Sequence, residues 1–425
     1  MEKFRIQGPA SLHGRVAASG AKNAALPALA ATLLTDEPVA LHRVPDVRDI
    51  RTMCRLLQHL GSHCEAGGGS VTLARSGDFG GPQDAPYDLV KTMRASILVL
   101  GPVLARRGHA TVSLPGGCAI GNRPVDEHLR GMEALGAEVE LEGGYVTARV
   151  PGDRLRGASF RFHVPSVTGT ENVMMAATLA RGVTVLDNCA REAEIVDLAA
   201  LLNAMGARIS GAGSPRLEIE GVESLHGARH EIVADRIEAG SYLIAGAMTG
   251  GDVTVTGARA AHLEALLEKL AEAGAEVSEV EGGLRAVGPP ELRPCLVETA
   301  PHPGFPTDLQ AQFMALTTQA RGVSTVREFV FENRFQHVPE LNRMGADIRV
   351  RNRTAKVRGR TRLTGARVMA TDLRASASLV LAGLAADGVT VVDRIYHLDR
   401  GYEAMESKLQ SLGARVDRIS SSEGD

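Results

Sequence analysis

A cysteine set among glycines is the first feature of this chain that could do chemistry. The segment Leu114-Pro115-Gly116-Gly117-Cys118-Ala119-Ile120-Gly121-Asn122-Arg123-Pro124-Val125-Asp126 places three glycines within six residues. Such a loop can move and lets backbone approach a ligand closely. A thiol there is expected to be at least partly exposed, and the nearby Arg123 favours its thiolate and so its reactivity. The other four cysteines, Cys54, Cys64, Cys189 and Cys295, read as small hydrophobes of a core. With no C-x-x-C pair and an odd total of five, the cysteines suggest reduced thiols rather than a disulfide framework or a zinc site.

A second dense patch is Pro301-His302-Pro303-Gly304-Phe305-Pro306-Thr307-Asp308-Leu309-Gln310. Its prolines fix a rigid approach, so Asp308 is held at a helix start, where a carboxylate can act as a general base or bind a hydroxyl. Glu332-Asn333-Arg334-Phe335 and His397-Leu398-Asp399-Arg400-Gly401-Tyr402 each add an arginine among polar residues. Guanidinium groups suit bidentate capture of carboxylate or phosphate, although a salt-bridged surface would use the same residues.

The elements that must position these groups emerge from a repeat. An apolar residue followed by Gly, and usually Ala, recurs at Gly61, Gly136, Gly206, Gly274, Gly345 and Gly413, at intervals of 75, 70, 68, 71 and 68 residues. Each Gly follows an amphipathic pattern such as Leu263, Leu266, Leu267 and Leu270, which predicts a helix ended by a glycine C-cap, with a strand after it. Upstream lies another strand announced by a glycine, as in Gly182-Val183-Thr184-Val185. Before that comes a helix apolar or small almost all round, such as Ala375-Ser376-Ala377-Ser378-Leu379-Val380-Leu381-Ala382, which must be buried. Six copies divide into two domains of three.

The buried helices begin at Lys22-Asn23, Arg94, Thr170-Glu171-Asn172, Asp235-Arg236, Thr307-Asp308 and Asp372-Leu373-Arg374. Helix N-termini offer unpaired amides and a positive dipole end. Thr307 and Thr371 could be simple N-caps. Caps do not explain Lys22, Arg94 and Arg374, cations disfavoured at that end of a helix unless an anion binds between them. With the two triplets facing each other, these groups would line one cleft.

Composition excludes several classes. Lys and Arg (47) nearly balance Asp and Glu (50), aromatic residues are 3%, and Trp is absent. Nucleic-acid binding therefore has neither its basic field nor its stacking platforms. The start Met1-Glu2-Lys3-Phe4-Arg5 leads into no apolar stretch, and the weakly polar run Ala95 to Ala105 is about half a membrane span, so a cytoplasmic protein with no membrane insertion is expected.

These segments, with Ser19-Gly20-Ala21-Lys22-Asn23-Ala24, Lys91-Thr92-Met93-Arg94-Ala95-Ser96 and Asp235-Arg236-Ile237-Glu238 in order, resemble the bacterial enolpyruvyl transferases that use UDP-N-acetylglucosamine, over essentially the whole length. The resemblance implies an α/β fold, a two-domain inside-out α/β barrel in which each domain holds three copies of a βαβαββ-like unit. It implies domains of 22–232 and of 1–21 with 233–425, and an active site in the cleft between them. Phosphoenolpyruvate would meet Lys22, Arg94, Arg123 and Arg400, with Arg334 and Arg374 adding positive charge. The sugar nucleotide would use Asn23, Arg123, Pro124, Val125, Asp126, Glu127, Ser166, Val167, Asp308 and Val330. Cys118 would protonate the methylene carbon and be the residue open to covalent modification, by the epoxide fosfomycin among others. Asp308 would take the hydroxyl proton, and Asp372 would help stabilise a cationic centre. The implied reaction moves the enolpyruvyl group to the 3′-hydroxyl with release of phosphate, the first committed step of peptidoglycan precursor synthesis, with no cofactor and no metal. A homo-oligomer is left open. Departures at Val164, where some relatives carry Lys, and at Cys189 and Ala193 lie outside this chemistry. The alternatives are transfer to shikimate 3-phosphate, or a non-catalytic binder of anionic sugar nucleotides; the loop thiol favours neither.

Overall fold

The computed structural model describes residues 2–75, 84–91, 93–114 and 125–420. Residues 295–360 show the repeating copy in continuous form. A short strand Leu296–Glu298 leads to an inner helix entered through Thr307–Leu309 and running Gln310–Thr317. Strand Gly322–Arg327, outer helix Val338–Arg343 and hairpin strands Asp347–Arg351 and Thr354–Gly359 follow. The order is βαβαββ.

Among the described residues six four-stranded sheets repeat this arrangement. In each the lead strand pairs parallel with the second strand, which pairs antiparallel with the last strand of the copy, as in Leu296↔Thr325 and Thr325↔Lys356. Strand burial alternates, for instance in Arg216–Glu220, because one face of each sheet covers a helix and the other does not.

The inner helices form because small and apolar residues fill every face. All of Leu373–Ala385 except its two end residues is buried, and burial on all sides is the environment such a sequence needs. The outer helices bury one stripe, as Ile50, Met53, Leu56 and Leu57 do in Arg48–His59.

The six signature glycines all take left-handed backbone, with φ between +89° and +100°, a region open to Gly without a Cβ penalty. In five of them the following Ala amide closes back onto the helix, as Ala414 N–H does onto Leu409 at 3.0 Å. These are the expected C-terminal caps.

Contacts divide the chain into two compact units. One holds the residues up to Ser19 and those from Ala234 onward; the other holds the described residues from Gly20 to Val233. Strands near both ends of the described chain complete sheets. Strand Lys3–Gly8 fills the sheet of the sixth copy between Gly388–Asp393 and Arg415–Ile419. His13–Ala17 leads the fourth copy beside Asp252–Thr256. In the other unit Arg229–Glu231 leads the first copy beside Val39–His42. Within each unit the three inner helices pack against one another and form a core of Ala, Val, Leu, Ile and Met. Among the described residues no helix is long and apolar enough to cross a membrane. The run from Ala95 to Ala105 lies within a 3-10 turn, Arg94–Val99, and a short helix, Leu100–Arg107.

Candidate active site

In the unit that includes Ala234 onward, the start of the fifth inner helix carries Asp308, and both of its oxygens are held by buried guanidinium groups. Arg334 Nη2 lies 2.8 Å from Oδ1, and Arg374 reaches Oδ2 from Nη2 at 2.9 Å and Nε at 3.2 Å. Burial opposes the charge on Arg374, but the Asp308 carboxylate together with Tyr402 and Asp235 outweighs it and raises the guanidinium pKa. Arg374 also lies over the ring of Tyr402 at 5.6 Å. The Tyr402 hydroxyl meets Ser241 at 2.7 Å and accepts from Gln312 at 3.1 Å, and Gln312 donates to the Asp308 carbonyl at 2.9 Å. Polar groups of all three inner helices are thereby locked around the Asp308 turn. Among the described residues Arg334 Nε and Arg374 Nη1 are buried with no hydrogen-bond partner, so each arginine retains donor capacity for an anion.

Asp372 caps the sixth inner helix, its Oδ1 accepting from the amides of Arg374 and Ala375 at 2.9 and 3.0 Å. Asp235 does the same for Ile237 and Glu238 in the fourth. Neither threonine is an N-cap. The Thr307 hydroxyl donates instead to Glu328 Oε2 at 2.8 Å, and Thr371 Oγ1 is buried without a hydrogen-bond partner among the described residues. Arg400 ends the 3-10 turn Ile395–Arg400 beside the sixth inner helix, while its neighbour Asp399 pairs with Arg418.

Glu328 is a residue that sequence reasoning missed. It is 1% exposed and accepts from Thr299 and Thr307 hydroxyls at 2.8 Å and from the amides of Val330 and Phe331 at 2.8 and 2.9 Å. Four donors satisfy its charge, and they tie the half-buried Val330 to the Asp308 turn. The signal available was a carboxylate opening an apolar run, Glu328-Phe329-Val330-Phe331.

In the other unit Lys22 opens the first inner helix behind Ala21, which gives no side-chain cap. Its ammonium is buried 3.1 Å from Asp49 Oδ2, a partner 27 residues away on the first outer helix; Asn23 follows in the same turn. Arg94 starts the 3-10 turn of the second inner helix, and its charge reaches the buried imidazole of His128. Burial, with Arg94 adding to it, pushes the His128 pKa down to about 3. The geometry agrees with a neutral ring. Asn172 Nδ2 donates to Nδ1 at 2.9 Å, because Asn172 Oδ1 already accepts from Gly101, and Nε2 meets Thr168 Oγ1 at 3.1 Å.

Val125 is buried and Asp126 exposed at the start of helix Asp126–Ala134. Glu127 turns inward, bonding Arg130 at 3.0 and 3.1 Å and accepting from the His163 amide, so it fixes the segment leading to Ser166. Ser166 caps the third inner helix through the Gly169 amide, with Val167 as its first residue. Val164 is 60% exposed. Glu171, one turn into that helix, is forced well above the usual carboxyl range by burial and by Glu194 and Glu192. Cys118, Arg123 and Pro124 lie outside the described residues. Among the described residues no group of three His, Cys, Asp or Glu has metal-site geometry.

Residues 6–409 match the family model of EPSP synthase (3-phosphoshikimate 1-carboxyvinyltransferase). A UDP-N-acetylglucosamine 1-carboxyvinyltransferase of Anaeromyxobacter sp. (strain Fw109-5) is 60% identical over 419 residues, covering 98% of this chain and 99% of that one. The chain belongs to this family. The corresponding protein of Magnetococcus marinus is 56% identical over 422 residues, 99% of this chain and all of its own length. Among solved structures, the enolpyruvyl transferase NikO of Streptomyces tendae superposes with a TM-score of 0.87 at 26% identity, covering 98% of this chain and 99% of that one. An EPSP synthase of Acinetobacter baumannii gives 0.77 at 17% identity, over 99% of this chain and 100% of its own, a likeness of fold alone. The enolpyruvyl transferase fold is thus the βαβαββ repeat described above.

Proposed function

We propose that this chain transfers the enolpyruvyl group of phosphoenolpyruvate to the 3′-hydroxyl of UDP-N-acetylglucosamine and releases phosphate, opening the synthesis of peptidoglycan precursors in the cytoplasm. The observation that carries the reading is 60% identity to a relative of that name along nearly the whole of both chains. That relative's name carries the sugar-nucleotide acceptor rather than shikimate 3-phosphate.

The chemistry assigns roles to the residues present. Phosphoenolpyruvate brings a phosphate and a carboxylate, and its C2 becomes cationic when C3 is protonated. Lys22, Arg94, Arg123 and Arg400 hold the anions; Arg334 and Arg374 add charge that a bound anion can share with Asp308. Asn23, the segment Arg123 to Glu127, Ser166, Val167 and Val330 position the sugar nucleotide. As the anionic substrates draw the guanidiniums toward themselves, an Asp308 oxygen becomes available to accept the proton of the attacking hydroxyl. Cys118 gives a proton to C3, the hydroxyl oxygen bonds to C2, and Asp372 favours the cationic centre. Loss of the C3 proton and of phosphate from the tetrahedral intermediate regenerates the double bond.

The test is phosphate release with each acceptor. Release only when phosphoenolpyruvate and UDP-N-acetylglucosamine are both present is expected. Equal release with shikimate 3-phosphate, or none with either acceptor, would overturn the reading. Fosfomycin should in the same preparation alkylate Cys118, read by peptide mass.

A further inference from the structure

Tyr402 takes no direct part in the proposed reaction, yet the first two turns of three inner helices meet on its side chain. It is 2% exposed and follows Arg400 by two residues. The directions of its hydrogen bonds follow from counting protons. Ser241 Oγ gives its one proton to the Ile237 carbonyl at 2.8 Å, so at 2.7 Å it accepts from the Tyr402 hydroxyl. Gln312 must place Nε2, not Oε1, on the Asp308 carbonyl at 2.9 Å, because a carbonyl only accepts. Its second amide hydrogen then goes to the Tyr402 oxygen at 3.1 Å, shared with Ser241 at 3.2 Å. The hydrogen bonds therefore run one way, from Gln312 through Tyr402 and Ser241 to Ile237, and both hydroxyl rotors are set. Burial raises the Tyr402 pKa, so the hydroxyl keeps the proton that this direction needs.

Two further attachments lead from Tyr402 to the site. The ring lies 5.6 Å from the Arg374 guanidinium, within reach of a cation–π attraction, while the Nε and Nη2 edge of that guanidinium holds Asp308. A ring face restrains a planar cation without demanding one hydrogen-bond direction, so Arg374 can turn toward an anion and stay seated. On the backbone side, a Cβ at Gly401 would come within 2.6 Å of the Leu373 side chain, and the Tyr402 amide donates to Leu398 at 2.9 Å. The segment Arg400 to Tyr402 thus lies close against the start of the sixth inner helix, and anchoring Tyr402 anchors Arg400. We propose that Tyr402, with Gln312 and Ser241 behind it, is a positioning residue for the enolpyruvyl transfer, holding Arg374 and Arg400 in place around Asp308. This role rests on the reaction proposed above.

The experiment measures phosphate release by the full chain, per folded molecule, together with unfolding in urea. Tyr402→Phe keeps the ring beside Arg374 and removes the hydroxyl; kcat should fall about tenfold with both KM values within about twofold of the parent's. Tyr402→Leu removes the ring as well; kcat should fall about 10²-fold and the KM for phosphoenolpyruvate should rise, with that for UDP-N-acetylglucosamine within about twofold. Gln312→Met breaks the same network and leaves Tyr402 in place, so the test survives if a tyrosine variant does not fold. It should lower kcat as Tyr402→Phe does, and the double variant should lose no more than the larger single loss, since both act through one network. An active parent whose folded variants keep its kcat and KM values and lose only urea stability would overturn the role and leave the reaction standing. Losses that multiply in the double variant would overturn the role as well. A parent that releases no phosphate with UDP-N-acetylglucosamine would overturn the reaction, and the role with it.

Discussion

The two units are built from the same βαβαββ copy, yet they open their inner helices with different chemistry. In the unit from Ala234 onward, two of three inner helices are capped by aspartates, Asp235 and Asp372, and the third presents Asp308 between two buried arginines. In the unit from Gly20 to Val233, only the Ser166 helix has a side-chain cap. Cations stand at the other two, Lys22 against Asp49 and Arg94 beside a neutral histidine. Capping by Asp quiets a helix N-terminus, whereas a cation placed there with no cap leaves the amides and the dipole to an anion. One scaffold, repeated, thus yields one set suited to holding a proton acceptor and another suited to holding an anionic substrate.

That contrast is broken most directly by exchanging function for shape. Asp308→Asn keeps the size of the side chain and removes the proton acceptor; kcat in the phosphate-release assay should fall by about 10²–10⁴. Lys22→Met should lower kcat/KM for phosphoenolpyruvate by about 10²–10³, with the acceptor KM little changed. Equal effects on both substrates from both variants would erase the distinction between the Asp308 turn and the Lys22 helix start.

A smaller effect tests the support beneath Asp308. Glu328→Gln retains an acceptor for the Val330 and Phe331 amides but loses the charge that four donors satisfy. Unfolding stability in urea should drop by about 1.5–3 kcal/mol, and the KM for the sugar nucleotide should rise with it. A stability loss without any change in KM would confine Glu328 to folding.

The mildest test concerns the neutral network of the other unit. Burial lowers the His128 pKa from the ordinary value near 6.5 to about 3. Below pH 6.5 the unfolded chain takes up a proton that the folded ring refuses, so this contribution is fully present above pH 6.5 and is lost as pH falls toward 3. The slope is about 1.4 kcal/mol per pH unit. Denaturation series between pH 7 and 4.5 should show a shallower slope in His128→Gln than in the parent. An unchanged slope would mean that His128 protonates in the folded state.

Much of the fold was legible in the sequence because its signals are local. A glycine after an amphipathic stretch reports a left-handed cap, and an inner helix without a polar face reports burial; Gly413 and Leu373–Ala385 conform. Asp372 was legible as a helix-start residue, although not which residue of that turn is the cap, because Thr371 and Asp372 fit the same pattern and only geometry chose Asp372. Thr307 shows the same limit: its hydroxyl turned to a carboxylate 21 residues away.

The six-fold repeat, the buried helices and the kinds of charge at their starts were readable from the order of residues alone. Those follow from spacing within a turn or two, where backbone geometry alone brings residues together. Packing alone set Asp308 between Arg334 and Arg374, Lys22 on Asp49, and Glu328 among its four donors. The ion pairs among these join residues far apart in the chain. No periodicity encodes such contacts; they arise when helices and sheets pack and buried charges must find partners.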